Sequence, residues 1–255
     1  VGGHRKVEEI SYAFSDVALP IFYNQLPGGD CLLISKKDAR ENAREYALRQ
    51  IRANIENLQL RPGAAVSENK LAKELGISRT PVREAIQELV KNNLIEVYPQ
   101  RGMTIAHIDI KLVEEMAFLR CVLEKAIVEE LCDYITEDGI KELELNIQLQ
   151  EFYEKSNDNL KLYELDNEFH KTMFNLCDKE RLYSLMEAAQ VHFNRIRTLS
   201  LYSVKEPKNV KEHRAIFEAI KARRKTEASR LIAEHLSRYK LDQKEIMKKY
   251  PEYFK

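Results

Sequence analysis

At 255 residues the chain has room for one large domain or two ordinary ones, and its 44% hydrophobic and 32% charged residues are those of a folded globular protein. No apolar run approaches the roughly 20 residues of a membrane span, nothing near the start has the layout of a signal peptide, and four scattered cysteines without a CxxC pair offer no disulfide or zinc framework. Net charge is zero, yet residues 36–107 hold 13 Lys and Arg against 9 Asp and Glu, a modest local excess of the kind phosphate contact requires. The expectation is a cytoplasmic, mainly α protein with reduced thiols.

Residues 1–35 are read as an unassigned N-terminal arm, in which Pro27-Gly28-Gly29 separates short apolar pieces as a hairpin turn or a loose loop would. Lys36 to Leu60 is predicted as a helix. Ala43, Ala47, Ile51 and Ile55 recur every four residues, Leu48 and Leu58 widen the stripe, and Arg61-Pro62-Gly63 ends it. Ser67 is placed to cap a second helix, Glu68 to Leu75, closed by Gly76, the residue best suited to a left-handed C-terminal position. Ser78 or Thr80 then caps a third helix running from Pro81 to Lys91, with Pro81 in the first turn where a missing N–H costs nothing.

On that third helix Val82, Ala85, Ile86 and Leu89 share one face. Thr80, Arg83, Glu84, Gln87 and Lys91 share the other, and offer the forked donor and the amide that suit base edges and phosphates. Ile95–Tyr98 and Met103–His107 read as β-strands with Arg101-Gly102 at the tip between them, so that an Arg can reach the minor groove or a phosphate. The ordered set is a winged helix-turn-helix over residues 36–107. Its segment Leu71-Ala72-x-x-Leu75-Gly76-Ile77-Ser78-Arg79-Thr80-Pro81-Val82-Arg83-Glu84-Ala85-Ile86, with Arg101-Gly102 behind it, resembles the DNA-binding domain of the GntR family of bacterial transcriptional regulators. The resemblance implies that Ser78, Arg79, Thr80, Arg83, Arg101 and Gly102 contact DNA, joined by Gln87 on the exposed face. Asn69 departs from the pattern, which often has an Arg there.

Residues 108–255 read as successive helices at about 109–134, 138–155, 159–177, 180–200, 208–223 and 226–249, an antiparallel all-helical bundle. Leu143, Leu145, Ile147 and Leu149 alternate, but the length of that segment and its few β-branched residues favour helix. In the third helix of this set Asp166 lies within the apolar arc of Leu162, Leu165, Phe169 and Met173, with His170 one turn later. A carboxylate facing a bundle interior is expensive unless it is paired or binds a cation, and Asp and His at i and i+4 can share one metal. His213 and His235 also project from apolar stripes, and His192 lies near one. A lone inward His is usually a hydrogen-bonded core residue; four such groups together favour a metal.

Leu119-Arg120-x-x-Leu123-Glu124, Asp166-x-x-x-His170 and Glu212-His213-Arg214-Ala215-Ile216 with His235-Leu236 resemble the all-helical FCD effector domain of the FadR subgroup of that family. By this resemblance the metal ligands are Asp166, His170, His213 and His235, and the effector is a small carboxylate. Arg223-Arg224 stands where the family often carries Gly-Asp. A nitrogen and oxygen ligand set without thiolate suits a divalent ion such as Zn, Ni, Mn or Fe. Arg120 is a candidate carboxylate clamp or simply the ion-pair partner of Glu124, and Arg195 and Arg197 are candidates of the same kind.

The sequence therefore predicts a transcriptional regulator, a repressor by default, that binds a roughly palindromic double-stranded operator as a homodimer and is controlled by a small organic acid at its metal. A metal-dependent enzyme fused to a DNA-binding module, or a direct sensor of the metal, are the other readings. Against an enzyme, the chain has no general base paired with the site, no nucleophile elbow and no phosphate-binding glycine loop.

Overall fold

A capping box starts the first helix of the computed structural model, which describes residues 31–156, 158–203 and 209–255. Asn42 accepts from the Glu45 N–H at 2.9 Å while the Glu45 carboxylate accepts from the Asn42 N–H at 3.0 Å, fixing the start of α1 (Ala43–Glu56). The predicted start at Lys36 was too early. Leu32 to Ser35 instead lie along α1, where Asn54 and Gln50, both buried, accept from the Leu33 and Ser35 N–H groups at 2.8 and 3.0 Å. Leu32 joins the core of this region. The Pro27-Gly28-Gly29 turn lies outside the described residues.

Two further helices, α2 (Glu68–Leu75) and α3 (Arg79–Lys91), follow the prediction closely. Ser67 Oγ accepts from the Lys70 N–H at 3.2 Å, and Gly76 ends α2 at φ +66°, where a side chain would be strained. β2 (Ile95–Tyr98) and β3 (Gly102–Ile105) pair antiparallel, Ile95 with Ile105 and Tyr98 with Gly102. A two-residue strand, β1 (Ala65–Val66), adds to the far side of β3 in the order β1-β3-β2. Val82, Ala85, Ile86 and Leu89 pack on Ala47, Ile51 and Ile55 beneath this sheet.

The second region is helical: α4 (Ile110–Tyr134), α5 (Glu137–Lys155), α6 (Asn159–Asn175), α7 (Glu180–Ala189), α8 (Val191–Ser203), α9 (Asn209–Lys221), α10 (Lys225–Ser237) and α11 (Tyr239–Lys249). α4 packs along α10, and α5 along α6 and α9. In α5, Leu143 and Ile147 are buried while Leu145 and Leu149 are exposed, so the alternating leucines resolve onto two faces of one helix.

Two predicted helices are each divided. The 180–200 stretch breaks at Gln190 and the 226–249 stretch at Arg238. Seen from the sequence, α8 gives no boundary because nearly every residue from Val191 to Leu199 is buried, leaving no polar face to read. After α11, Pro251–Tyr253 forms a 3₁₀ turn, and the chain returns to residue 108 between the two regions. There Ile108 N–H donates to the Tyr253 carbonyl at 2.8 Å and Lys255 N–H to the Ile108 carbonyl at 3.1 Å. No helix among the described residues is long and apolar enough to cross a membrane.

Candidate metal centre, cavity and nucleic-acid face

The outward face of α3 carries what its apolar side excludes. Ser78, Arg79, Thr80, Arg83 and Gln87 are all exposed, as are Arg101 and Gly102 at the turn between β2 and β3. Gly102 has φ +94°, a conformation that keeps the tip tight and free of a side chain. Glu68, at the start of α2, was not anticipated. Its carboxylate receives Arg83 through Nε at 3.1 Å and Nη2 at 3.0 Å, and Arg79 lies 3.6 Å away. Both guanidiniums are thus held in front of the helix pair by one acid, which is itself lowered by the Arg83 hydrogen bond.

In the helical region Leu162, Leu165, Asp166, Phe169, His170 and Met173 are all buried along α6. His213 from α9 and His235 from α10 close on Asp166 and His170. His213 Nε2 is 3.2 Å from His235 Nε2, which is 3.3 Å from His170 Nε2. Asp166 Oδ1 is 3.6 Å from His213 Nε2.

Each imidazole is anchored through its other nitrogen. His170 Nδ1 faces Glu124 at 2.5 Å, His213 Nδ1 faces Gln150 Oε1 at 2.8 Å, and His235 Nδ1 faces Glu212 at 2.9 Å. All three partners are acceptors, so Nδ1 carries the proton in each ring and the three Nε2 lone pairs face one another with a carboxylate beside them. Such a group of bare acceptors is repulsive without a cation. Two nitrogens about 2.0–2.1 Å from one ion lie roughly 3 Å apart, so the residues fit a divalent metal.

Electrostatics supports the same protonation states. Burial pushes His170 down, and pushes His213 well below its ordinary value, keeping both neutral as ligands must be. Burial would raise the carboxyls of Glu124 and Asp166, but the guanidiniums of Arg120 and Arg197 respectively overcome it and hold both ionised. Asn209 Nδ2 also donates to Asp166, at 3.1 Å.

A cavity of about 130 Å³ opens beside this cluster, with Asp166, His235 and Gln150 in its wall. Arg120, Arg197 and Arg238 line it too. Arg120 Nε donates to Glu124 at 2.5 Å, so it is both an ion-pair partner and a cavity residue. Arg197 donates to Asp166 and to Asn167 Oδ1, and lies over the Tyr163 ring at 4.5 Å. Arg238, unanticipated, donates to Glu212 at 2.6 Å.

Arg195 is a correction. It does not line the cavity but points from the opposite face of α8 to the Ala106 carbonyl at 2.7 Å and to His192 at 2.6 Å. His192 likewise is no ligand: Nδ1 receives the Asp109 N–H at 3.2 Å and Nε2 meets the Asn93 carbonyl at 3.0 Å, just beyond the end of α3. The helical periodicity is the reason, since α8 is buried all round and its inward side chains serve two different neighbours.

Family models match both halves of the chain: the bacterial regulatory protein model of the gntR family over residues 44–105 and the FCD domain over 115–238. An HTH-type transcriptional regulator of Streptomyces ambofaciens is 32% identical over 200 residues, covering 73% of this chain and 78% of the relative. The chain belongs to the GntR family of bacterial transcriptional regulators. The HTH-type transcriptional repressor RspR of Escherichia coli is 28% identical over 207 residues, 81% of this chain and 91% of its own. Solved structures share the fold: Escherichia coli McbR/YncC at 19% identity and a TM-score of 0.68, covering 82% of this chain and 99% of its own, and a GntR regulator from Rhodococcus sp. RHA1 at 21% and 0.64, covering 80% and 97%.

This GntR regulator has transcriptional regulators as the relatives and structural neighbours named here. It uses its Arg223 departure structurally. The residue takes φ +56°, and its guanidinium caps the end of α4 by donating to the carbonyls of Cys132, Asp133 and Ile135 at 3.0, 2.8 and 3.0 Å. α11 lies beyond the FCD match yet supplies Tyr239 and Asp242 to the cavity wall.

Proposed function

We propose that this regulator is a homodimeric repressor whose hold on a roughly palindromic operator is loosened by a small organic acid bound beside a metal in the FCD domain. One observation carries the reading. α8 presents Phe193, Ile196 and Arg197 to the cavity, and from its other sides His192 and Arg195 clasp the backbone at Asn93, Ala106 and Asp109. A shift of this helix toward a ligand therefore pulls on the end of α3 and on the segment joining the two regions.

Asp166, His170, His213 and His235 would hold a divalent ion, which supplies a Lewis-acid seat for a carboxylate. Arg120, Arg197 and Arg238 orient the acid by hydrogen bonding, and the apolar side chains of α8 exclude water around it. Ser78, Arg79, Thr80, Arg83 and Gln87 meet the major groove, and Arg101-Gly102 meets the backbone or minor groove. Two copies supply two α3 helices for two half-sites. The relative RspR, named a repressor, favours the same sign.

The test begins with DNA fragments that the protein enriches from a random-sequence pool. Their affinity is measured by fluorescence anisotropy with metal-stripped and metal-restored protein, each titrated with acetate, succinate and citrate. An acid that requires the metal and weakens binding by roughly 5- to 150-fold, the usual range of coupling between sites, is the expected result. Affinity indifferent to both metal and acid, or chemical turnover of the acid, would overturn the reading.

A further inference from the structure

The charges lining the cavity do not balance one another evenly. Arg120, Arg197 and Arg238 each face a carboxylate of the chain itself, in Glu124, Asp166 and Glu212. Asp242 is left over. It lines the cavity from α11, and among the described residues its carboxylate has one hydrogen-bond donor, Ser200 Oγ at 2.8 Å, and no ion-pair partner. Arg238 lies one turn before it but turns away to Glu212.

We propose that Asp242 selects the effector: the cavity takes an acid that also carries a protonated amine, with its ammonium group against Asp242. This rests on the cavity being the effector site. An acid in the first turn of a helix complements the helix dipole, but it does so equally well from the solvent side. Here the carboxylate is half-buried, lines the cavity and touches α8 through Ser200 Oγ.

A negative group facing the cavity, with the histidine cluster and three guanidiniums elsewhere in the wall, is complementary to a zwitterion. It also discriminates by exclusion. A dicarboxylate would bring its second negative charge against Asp242, while an unsubstituted acid would leave Asp242 without a cation. Asp242 stands on α11, which follows the FCD match.

Calorimetric titration of the full-length protein tests it, using pentanoate, glutarate and 5-aminopentanoate, with the corresponding sets of three, four and six carbons. At one chain length or more the amino acid should bind roughly 10- to 100-fold tighter than the unsubstituted acid, as a charge-assisted hydrogen bond warrants, with the dicarboxylate weakest. Asp242→Asn and Asp242→Ser should both reduce that ratio to about twofold or less while leaving pentanoate binding in place. Plain acids that bind without any gain from the amine, a preference for glutarate, or a gain that survives both substitutions would overturn the inference alone. Binding of no acid would overturn the effector reading with it.

Discussion

The two polar clusters of this regulator are built in opposite ways. In the winged helix-turn-helix Arg79 and Arg83 are exposed, share one carboxylate, and rest on a helix whose apolar face does the folding. In the helical region Glu124, Asp166, His170 and His213 are buried, and each is held by further polar groups. The difference separates two kinds of residue. At the first cluster chemistry and stability are carried by different side chains, whereas at the second the same side chains carry both.

The largest test of that contrast is Glu124→Ala. It strands the Arg120 guanidinium and the His170 Nδ1 proton in the interior, and should cost about 3–5 kcal/mol, read as a lower urea midpoint. A variant as stable as the parent would break the comparison at once. Metal removal comes next. Chelation should lower the thermal midpoint, and a divalent ion at about 100 times its Kd should return about 2.7 kcal/mol. An unmoved midpoint would leave the cluster of bare acceptors without its explanation.

A smaller effect is expected from pH at the joint between the regions. Burial and the Arg195 charge push His192 down to about 4 from its ordinary 6.5. The unfolded chain then binds the extra proton between those values, so this contribution is complete above pH 6.5 and is lost as the pH falls toward 4. The loss is about 1.4 kcal/mol per pH unit. Between pH 7 and pH 5 the parent should lose about 2 kcal/mol more than His192→Gln in matched denaturant titrations. Equal losses would remove His192 from the account.

The smallest stability effect is expected at Arg83. Arg83→Ala should leave the thermal midpoint where it is while weakening DNA binding by roughly tenfold or more, as loss of a bidentate base contact does. A destabilised variant with unchanged affinity would invert the contrast.

The same contrast decides how much could be read from the sequence. Ser67, Gly76 and the Val82, Ala85, Ile86, Leu89 face were legible because capping, left-handed φ and helical period are local. The Asn42–Glu45 capping box is a local signal too, and it places the helix start later than the apolar pattern from Lys36 implies. Asp166 and His170 were visible as polar residues on an apolar arc. Their anchors Glu124, Gln150 and Glu212 come from three other helices; Glu124 and Glu212 stand in the FCD-like motifs, but helical period does not pair any of the three with an imidazole. The faces of α8 were illegible for a different reason. Periodicity distinguishes inside from outside, and α8 has scarcely any outside.

The return of the chain to residue 108 has a kinetic consequence. Asp109 and Lys255, which meet beside the Ile108 bridge, are 146 positions apart, and a contact of that separation carries a high loop-closure cost until the helices between them are in place. The connection between the winged helix-turn-helix and the helical region is therefore expected to stiffen late in folding. A partly folded chain could then present a formed α2–α3 pair before the His192 and Arg195 contacts at the joint have closed.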